Sequence, residues 1–130
     1  MIITIDTHSG MPIFRQIFDQ ISRQILTGQL QPGEQLPPIR EFSTELKINP
    51  MTLSKVYSML ESEGFLERRR GIGLFVKKMG SSESSSVKTE LAEEILKDAA
   101  VNISQLGIDE DVAMKIFSKH YKKYRNKPEE

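Results

Sequence analysis

Residues 49–64, NPMTLSKVYSMLESEG, contain the clearest helix signal in the sequence. Asn49 is a favourable N-cap, and the fixed φ of Pro50 suits the first helical position. The apolar residues that follow recur at i, i+3, i+4 and i+7, which is the pattern of a helix with one buried face. They are Leu53, Val56, Tyr57 and Leu60. Gly64 is placed to end the helix, so this stretch predicts a helix with a defined start and stop.

A shorter helix is predicted immediately before it, from Pro38 to about Lys47. Its inward face would consist of Ile39, Phe42 and Leu46. Two helices of this size joined by a turn around Ile48 and Asn49 match a helix-turn-helix over about residues 38–63.

Elements on either side extend this unit. Upstream, an amphipathic helix is predicted from Pro12 to Thr27 because its apolar residues share one face. Downstream, Phe65–Arg69 and Leu74–Lys78 read as strands joined by Gly71-Ile72-Gly73, a tight hairpin with basic flanks. Three helices followed by a basic hairpin predict a winged helix-turn-helix over residues 1–79, with the wing at about residues 65–78.

The remaining residues, 80–130, predict a linker and a helical dimerisation region. Gly80–Ser86, GSSESSS, reads as a linker or a loose entry into a helix. Two amphipathic helices follow and form a hairpin too thin to bury both apolar stripes, which favours pairing with the same hairpin of a second chain. Packing back onto the first domain is the alternative. The expected dimerisation residues are Leu91, Ile95, Ile103, Val112, Ile116, Phe117 and Tyr121.

Composition excludes several classes of function. The chain has 130 residues, no cysteine, and 18 basic side chains balanced by 18 acidic ones, so disulfides and thiolate chemistry are ruled out. His8 and His120 are too separated for a metal site, and no catalytic constellation is apparent, so neither an enzyme nor a cofactor is expected. No stretch is long and apolar enough for a membrane span, and no secretory signal is visible, which makes the cytoplasm the expected location.

The residues themselves point to DNA. The outer face of the 49–64 helix carries small, polar and singly basic side chains, which fits a helix in the major groove. They are Met51, Lys55, Ser58 and Ser62, with Thr52 and Ser54 at the margins. The hairpin adds five basic residues within 68–78, and Arg70 and Gly71 stand at its tip, where contact with phosphate or the minor groove is expected. An ordinary solvated surface is the plain alternative.

Short motifs phased from about Met11 to Lys78 closely resemble the GntR family of bacterial transcription regulators. They are PIFRQIFDQI, GQLQPGEQLP, PIREF, INPMTLSKVYSMLESEGFLERR and RGIGLFV. The total length, the Asn49-Pro50 pair and the two-helix C-terminus resemble the YtrA subfamily, whose members carry a small dimerisation region in place of a large effector domain.

The resemblance implies roles for particular residues. An arginine of the second helix contacts DNA in the family, and Arg40 matches it; early contacts of the recognition helix fall on Pro50, Met51, Thr52 and Ser54, and the wing contact on Arg70 and Gly71. Many relatives have arginine where Pro50 and Ser54 stand here. We therefore expect Lys55 or Arg40 to contact a base edge, while Arg69, Arg70 and Lys77 hold phosphate.

The leading hypothesis is thus a homodimeric, sequence-specific repressor of a palindromic operator, and the resemblance links such regulators to operons for ABC transporters. One alternative is a winged-helix protein-interaction module without DNA reading. Another is an effector-responsive regulator with a ligand site at the dimer interface, since the hairpin alone is not expected to enclose the ~300–1,000 Å³ of a usual ligand site.

Overall fold

The computed structural model describes residues 1–125, and the chain divides after Ser85 into two compact units. The last five residues of the predicted 80–130 region lie outside the described residues. The described elements, in chain order, are α1 Ile13–Leu26, α2 Ile39–Leu46, α3 Pro50–Ser62, β1 Leu66–Arg69, β2 Gly73–Val76, α4 Ser81–Ser104 and α5 Glu110–Arg125. The chain is thus mainly helical with a two-stranded wing, as the sequence predicts. We call residues 65–78, which comprise the two strands and the residues that flank them, the wing.

The core of the first unit lies between α1 and α3. The predicted apolar face of α3 is buried in full, and α1 buries Ile17, Phe18 and Ile21 against it. Phe18 also meets Phe65 edge to face, with the ring centroids 6.2 Å apart. Because one face of α3 packs into the core, its opposite face is exposed and available to bind a partner.

The turn between α2 and α3 is fixed by local backbone chemistry. Lys47 ends α2 in the left-handed conformation, with φ of 58°. The Asn49 side chain accepts a hydrogen bond of 2.8 Å from the Met51 N–H, so the N-cap predicted from sequence is present. The Tyr57 hydroxyl donates to the Pro37 carbonyl at 2.8 Å, which ties α3 to the segment before α2. Burial raises the pKa of Tyr57, so the hydroxyl remains protonated and able to donate.

The wing is an antiparallel pair in which Leu66 lies opposite Val76 and Arg69 opposite Gly73. Its strands, 66–69 and 73–76, are shorter than the predicted 65–69 and 74–78. The segment after α1, which the sequence predicts only as a turn, pairs with the outer edge of β2. The Leu36 N–H donates to the Leu74 carbonyl at 2.9 Å, and the Val76 N–H donates to the Glu34 carbonyl at 2.8 Å. β2 is therefore paired on both of its edges, with β1 on one side and this segment on the other.

Three glutamines of α1 hold the N-terminal segment of the chain. Gln24 Nε2 donates to the Ile2 carbonyl at 2.9 Å, and Gln20 bonds both backbone groups of Thr4. Gln16 does the same for Asp6. Four helical residues rise about 6.0 Å and two extended residues about 6.6 Å, so side chains at i, i+4 and i+8 can meet every second backbone residue. We call these three side chains the glutamine ladder.

The predicted linker is not separate from the helix that follows. Residues 81–86 form the first turns of α4, so the linker interpretation is wrong there and the alternative, an entry into the helix, is observed. Glu83 in the first turn suits the positive end of the helix dipole. In the second unit, Gly107 (φ 71°) lies in the connection of five residues, 105–109, between α4 and α5. None of the helices among residues 1–125 has the length and hydropathy to cross a membrane.

Candidate nucleic-acid interface

The outer face of α3 is open and carries the side chains that the sequence assigns to it. Met51 is 78% exposed, and Pro50, Ser54 and Ser58 are exposed as well. Thr52 is half-buried at the margin. A helix with one face fully buried and the other exposed, polar and small in cross-section can enter a major groove without steric conflict.

Lys55 lies on the outer face of α3, where the sequence places it, but its ammonium contacts an aromatic ring. Its side chain is exposed, but the ammonium lies 3.9 Å from the centroid of the Phe14 ring on α1. A cation over an aromatic face at an exposed site is stabilised by about 0.5–1 kcal/mol. The sequence analysis missed Phe14 as a partner, and its place in the apolar stripe of α1 gave no signal for this contact.

Arg40 lies at the second position of α2 and is exposed. Its carbonyl accepts hydrogen bonds from the hydroxyls of Ser43 and Thr44, at 3.1 and 2.9 Å, so its backbone is held by its own helix. Within residues 1–125 its guanidinium has no carboxylate within ion-pair distance. The backbone of Arg40 is therefore held in place, while its guanidinium has no ion-pair partner within the described residues and is available to a ligand.

The basic side chains of the wing fall into two groups, those that have an ion-pair partner within the chain and those that have none among the described residues. Arg68 reaches back to α3 and binds Glu61 through two hydrogen bonds of 3.1 and 3.3 Å. Arg69 lies 3.5 Å from the Glu67 carboxylate and 4.0 Å above the Phe75 ring.

The other two predicted phosphate contacts are less engaged. Arg70 and Lys77 are exposed, and the part of the chain that the structure describes contains no ion pair to either. Gly71 beside Arg70 has a φ of 77°, so the tip takes a turn that a side chain would disfavour. The structure thus brings Arg70, Gly71 and Lys77 to an accessible wing, while Arg69 would have to leave its two partners.

The second unit exposes most of its apolar surface. No residue of α4 or α5 is buried within the chain. Of the predicted dimerisation residues, Leu91 and Ile103 are half-buried and the rest are exposed; these are Ile95, Val112, Ile116, Phe117 and Tyr121. Phe117 and Tyr121 stack with their ring centroids 5.7 Å apart.

A partly open groove of about 500 Å³ lies between α4 and α5. Its lining is almost wholly apolar and includes Leu96, Ile103, Met114 and Phe117. The groove has the volume of a usual ligand site, but one side of it is open. A second surface would be needed to enclose a ligand there, which agrees with the expectation that the hairpin alone does not enclose one. In the described residues no group of three His, Asp or Glu side chains is arranged to hold a metal ion.

Comparison with known proteins agrees with this geometry. Residues 14–76 match the family of bacterial regulatory proteins called gntR. The chain is 35% identical over 107 residues to the HTH-type transcriptional repressor YtrA of Bacillus subtilis (strain 168), which covers 82% of each protein.

Two solved structures extend the likeness beyond the DNA-binding domain. One is a transcriptional antiterminator from Listeria monocytogenes EGD-e, with a TM-score of 0.74 and 31% identity over 93% of this chain and 90% of that one. The other is YtrA from Sulfolobus acidocaldarius, a GntR-family transcription factor, with a TM-score of 0.57 and 37% identity over 72% and 99% of the two chains. The winged helix-turn-helix, the two C-terminal helices and these matches together show that the chain belongs to the GntR family of DNA-binding transcriptional regulators and is similar to its YtrA-type members.

Proposed function

We propose that the protein is a homodimeric repressor that reads a palindromic operator with α3, Arg40 and the wing. The observation that carries the proposal is the division of α3 into a wholly buried apolar face and an exposed face on which small polar side chains flank Met51 and Lys55. Exposed cations on the neighbouring elements, Arg40 on one and Arg70 on the other, give this face the charge that DNA binding requires.

The exposed residues then take different tasks. Arg40 contacts a base edge, because it has an uncommitted guanidinium whose planar fork can bind guanine in a bidentate manner. The first turn of α3 follows the groove, with Pro50, Met51, Thr52 and Ser54 against the bases. On the wing, Arg70 and Lys77 hold phosphate, Gly71 permits close approach of the backbone, and Arg69 joins them after exchanging Glu67 for phosphate.

Dimerisation is supported by the exposed apolar side chains of α4 and α5. Ile95 is 56% and Tyr121 57% exposed in the single chain, together with the other predicted residues of this surface. A second copy of the hairpin offers the same stripes and would cover them by symmetry. Two recognition helices related by a twofold axis read half-sites about one helical turn or a multiple apart, so the operator is an inverted repeat.

Repression is supported by the relative in Bacillus subtilis, which is named a transcriptional repressor and resembles this chain over most of its length. A bound dimer that covers promoter DNA blocks transcription by occupancy alone. The family resemblance extends the proposal to an operon that encodes an ABC transporter.

A second candidate is regulation by an apolar effector, favoured by the groove between α4 and α5. Its volume of about 500 Å³ falls within the usual range for small-molecule sites. A ligand closed in by the partner chain would alter the dimer and hence the spacing of the two recognition helices. Operator titrations with and without candidate apolar compounds test this, and unchanged affinity across a broad set counts against it.

Selection of duplexes from random DNA, followed by footprinting, tests the proposed function. We expect an inverted repeat with both half-sites protected at saturation. The Arg40→Ala variant should lose about 1–3 kcal/mol on this operator and relax the preference at one base pair. A single protected half-site, or equal weakening of operator and scrambled DNA by Arg40→Ala, would contradict the geometry or the assignment of Arg40.

A further inference from the structure

From the position of the Lys55 ammonium over the Phe14 ring, we infer that Phe14 is a positioning residue for DNA binding and that Lys55 holds a backbone phosphate rather than reading a base. The inference rests on the proposed function and refines it, since the sequence leaves base reading open between Arg40 and Lys55. Phe14 belongs to α1, outside the helix-turn-helix, so its contribution is not expected from the motif alone.

The Lys55 side chain points away from the centre of the outer face of α3. At about 100° per residue, Lys55 projects about 40° from Met51 around the α3 axis, to the same side as Met59. The ammonium continues in this direction until it lies 3.9 Å from the Phe14 ring centroid. It is therefore drawn from the centre of the outer face towards α1, at one margin of that face. A helix seated in the major groove has a phosphate backbone along its margins, so this position favours phosphate over a base edge.

The Lys55 ammonium can bind a phosphate oxygen while it remains in contact with the Phe14 ring. One side of the ammonium faces the ring and the other faces solvent, so a single anionic oxygen can approach without displacing the contact. Reading a base edge would instead require Lys55 to leave the ring and extend along α3. A lysine ammonium is a compact point charge suited to phosphate, whereas the planar fork of an arginine suits bidentate base contacts. This chemistry assigns the phosphate to Lys55 and leaves the base to Arg40.

The Phe14 ring preorganises the Lys55 side chain for binding. A free lysine loses the freedom of several rotatable bonds when it binds DNA, and this loss weakens binding. The Phe14 ring already restricts Lys55 in the unbound protein, so less freedom remains to be lost. The ring thereby contributes to DNA affinity without touching DNA.

The experiment uses the full chain and titrates the selected operator and a scrambled duplex at several salt concentrations. Lys55→Ala should weaken both duplexes by the same factor and reduce the slope of log K against log salt by about 0.9 per protomer, or about 1.8 for a dimer. Phe14→Leu should weaken both by about two- to tenfold per protomer because Lys55 is no longer restrained. Lys115→Ala on α5 is the matched control for loss of one positive charge and should leave the slope unchanged.

Coupling between the two residues distinguishes positioning from a general structural effect. In the Lys55→Ala background, Phe14→Leu should cause no further loss of DNA affinity, and Phe14→Tyr, which keeps the ring, should restore the binding that Phe14→Leu loses. A direct readout in the unbound protein is the upfield ring-current shift of the Lys55 side-chain protons, which Phe14→Leu should remove. This signal can be read in the wild-type chain alone if Phe14→Leu does not fold.

Three results would overturn the inference. Lys55→Ala could change preference at one base pair while leaving scrambled DNA unaffected, which would make Lys55 a base reader. Phe14→Leu could tighten binding, which would mean that the ring competes with DNA for the ammonium. The wild-type Lys55 protons could lack the ring-current shift. If the wild-type chain selects no operator at all, the proposed function fails instead, so the two failures are distinguishable.

Discussion

Replacing Gln16 with methionine should detach the N-terminal segment and destabilise the first unit. Gln16 makes three hydrogen bonds: its Oε1 accepts from the Asp6 N–H at 2.9 Å, and its Nε2 donates to the carbonyls of Asp6 and Met11 at 3.0 and 2.9 Å. Its side chain is buried, so water does not replace these partners while the segment stays in place. At about 1 kcal/mol for each bond, Gln16→Met should lower the free energy of unfolding by about 3 kcal/mol. Methionine is chosen because it keeps the length and helix propensity of glutamine.

The other two members of the glutamine ladder are matched controls. Gln20 makes two bonds to Thr4, and Gln24 makes one to Ile2. These bonds are exposed, so water recovers part of each, and we expect losses of about 1 kcal/mol for Gln20→Met and about 0.5 kcal/mol for Gln24→Met. The order of the three losses follows from bond number and burial together.

Urea denaturation of the full chain measures the three losses, and amide hydrogen exchange locates them. The Thr4 amide should lose protection in Gln20→Met, and the Asp6 amide should lose it in Gln16→Met, because each amide donates to that glutamine. A loss below about 0.5 kcal/mol for Gln16→Met, or equal losses for all three variants, would refute the reasoning. Unchanged protection of both amides would show that the segment is not held by the ladder.

Three further predictions concern the wing and the dimer. Arg70→Ala should reduce the salt slope of operator binding by about 1.8 in the dimer, whereas Arg68→Ala, whose charge is already bound within the chain, should change it little; parallel titrations decide this. Gly73→Ala should destabilise the wing by about 1–3 kcal/mol in urea denaturation, because φ is 142° and the added Cβ would lie 2.9 Å from Gln35 Nε2. A chain ending at Met79 should sediment as a monomer and bind the operator more weakly; a dimer would place the interface outside α4 and α5.

The helix-turn-helix could be predicted from sequence because its signals are local. Asn49 and Pro50 fix where α3 begins, and the apolar spacing that follows fixes which face is buried. Neither inference needs knowledge of a distant partner. Each predicted strand of the wing overlaps the observed one and is one residue too long, and the second strand begins one residue earlier than predicted, because pairing and not propensity sets where a strand begins and ends.

Most of the features that could not be predicted from the sequence depend on contacts between distant residues. The pairing of the Glu34–Leu36 segment with β2 joins residues about forty positions apart, and nothing in that segment identifies its partner. The glutamine ladder does leave a trace, since three glutamines recur at intervals of four, but polar side chains at that spacing are typical of any solvated helix face. The linker interpretation failed for a different reason, because serine-rich composition is compatible with both a linker and the first turn of a helix.

The ion pairs of the wing are likewise contacts that the sequence does not predict. The sequence presents the basic residues from Arg68 to Lys78 as one uniform cluster, yet in the structure Arg68 is paired with Glu61 of α3 and Arg69 lies between Glu67 and Phe75. A cation already paired within the chain must give up that pair to bind a phosphate, so we expect it to contribute less to DNA affinity than an unpaired cation. Under the proposed function, we therefore expect affinity to depend on the cations that remain unpaired, and specificity to depend on Arg40 of α2. Because pairing depends on the fold, a count of basic residues predicts that DNA is bound but does not predict which residues bind it.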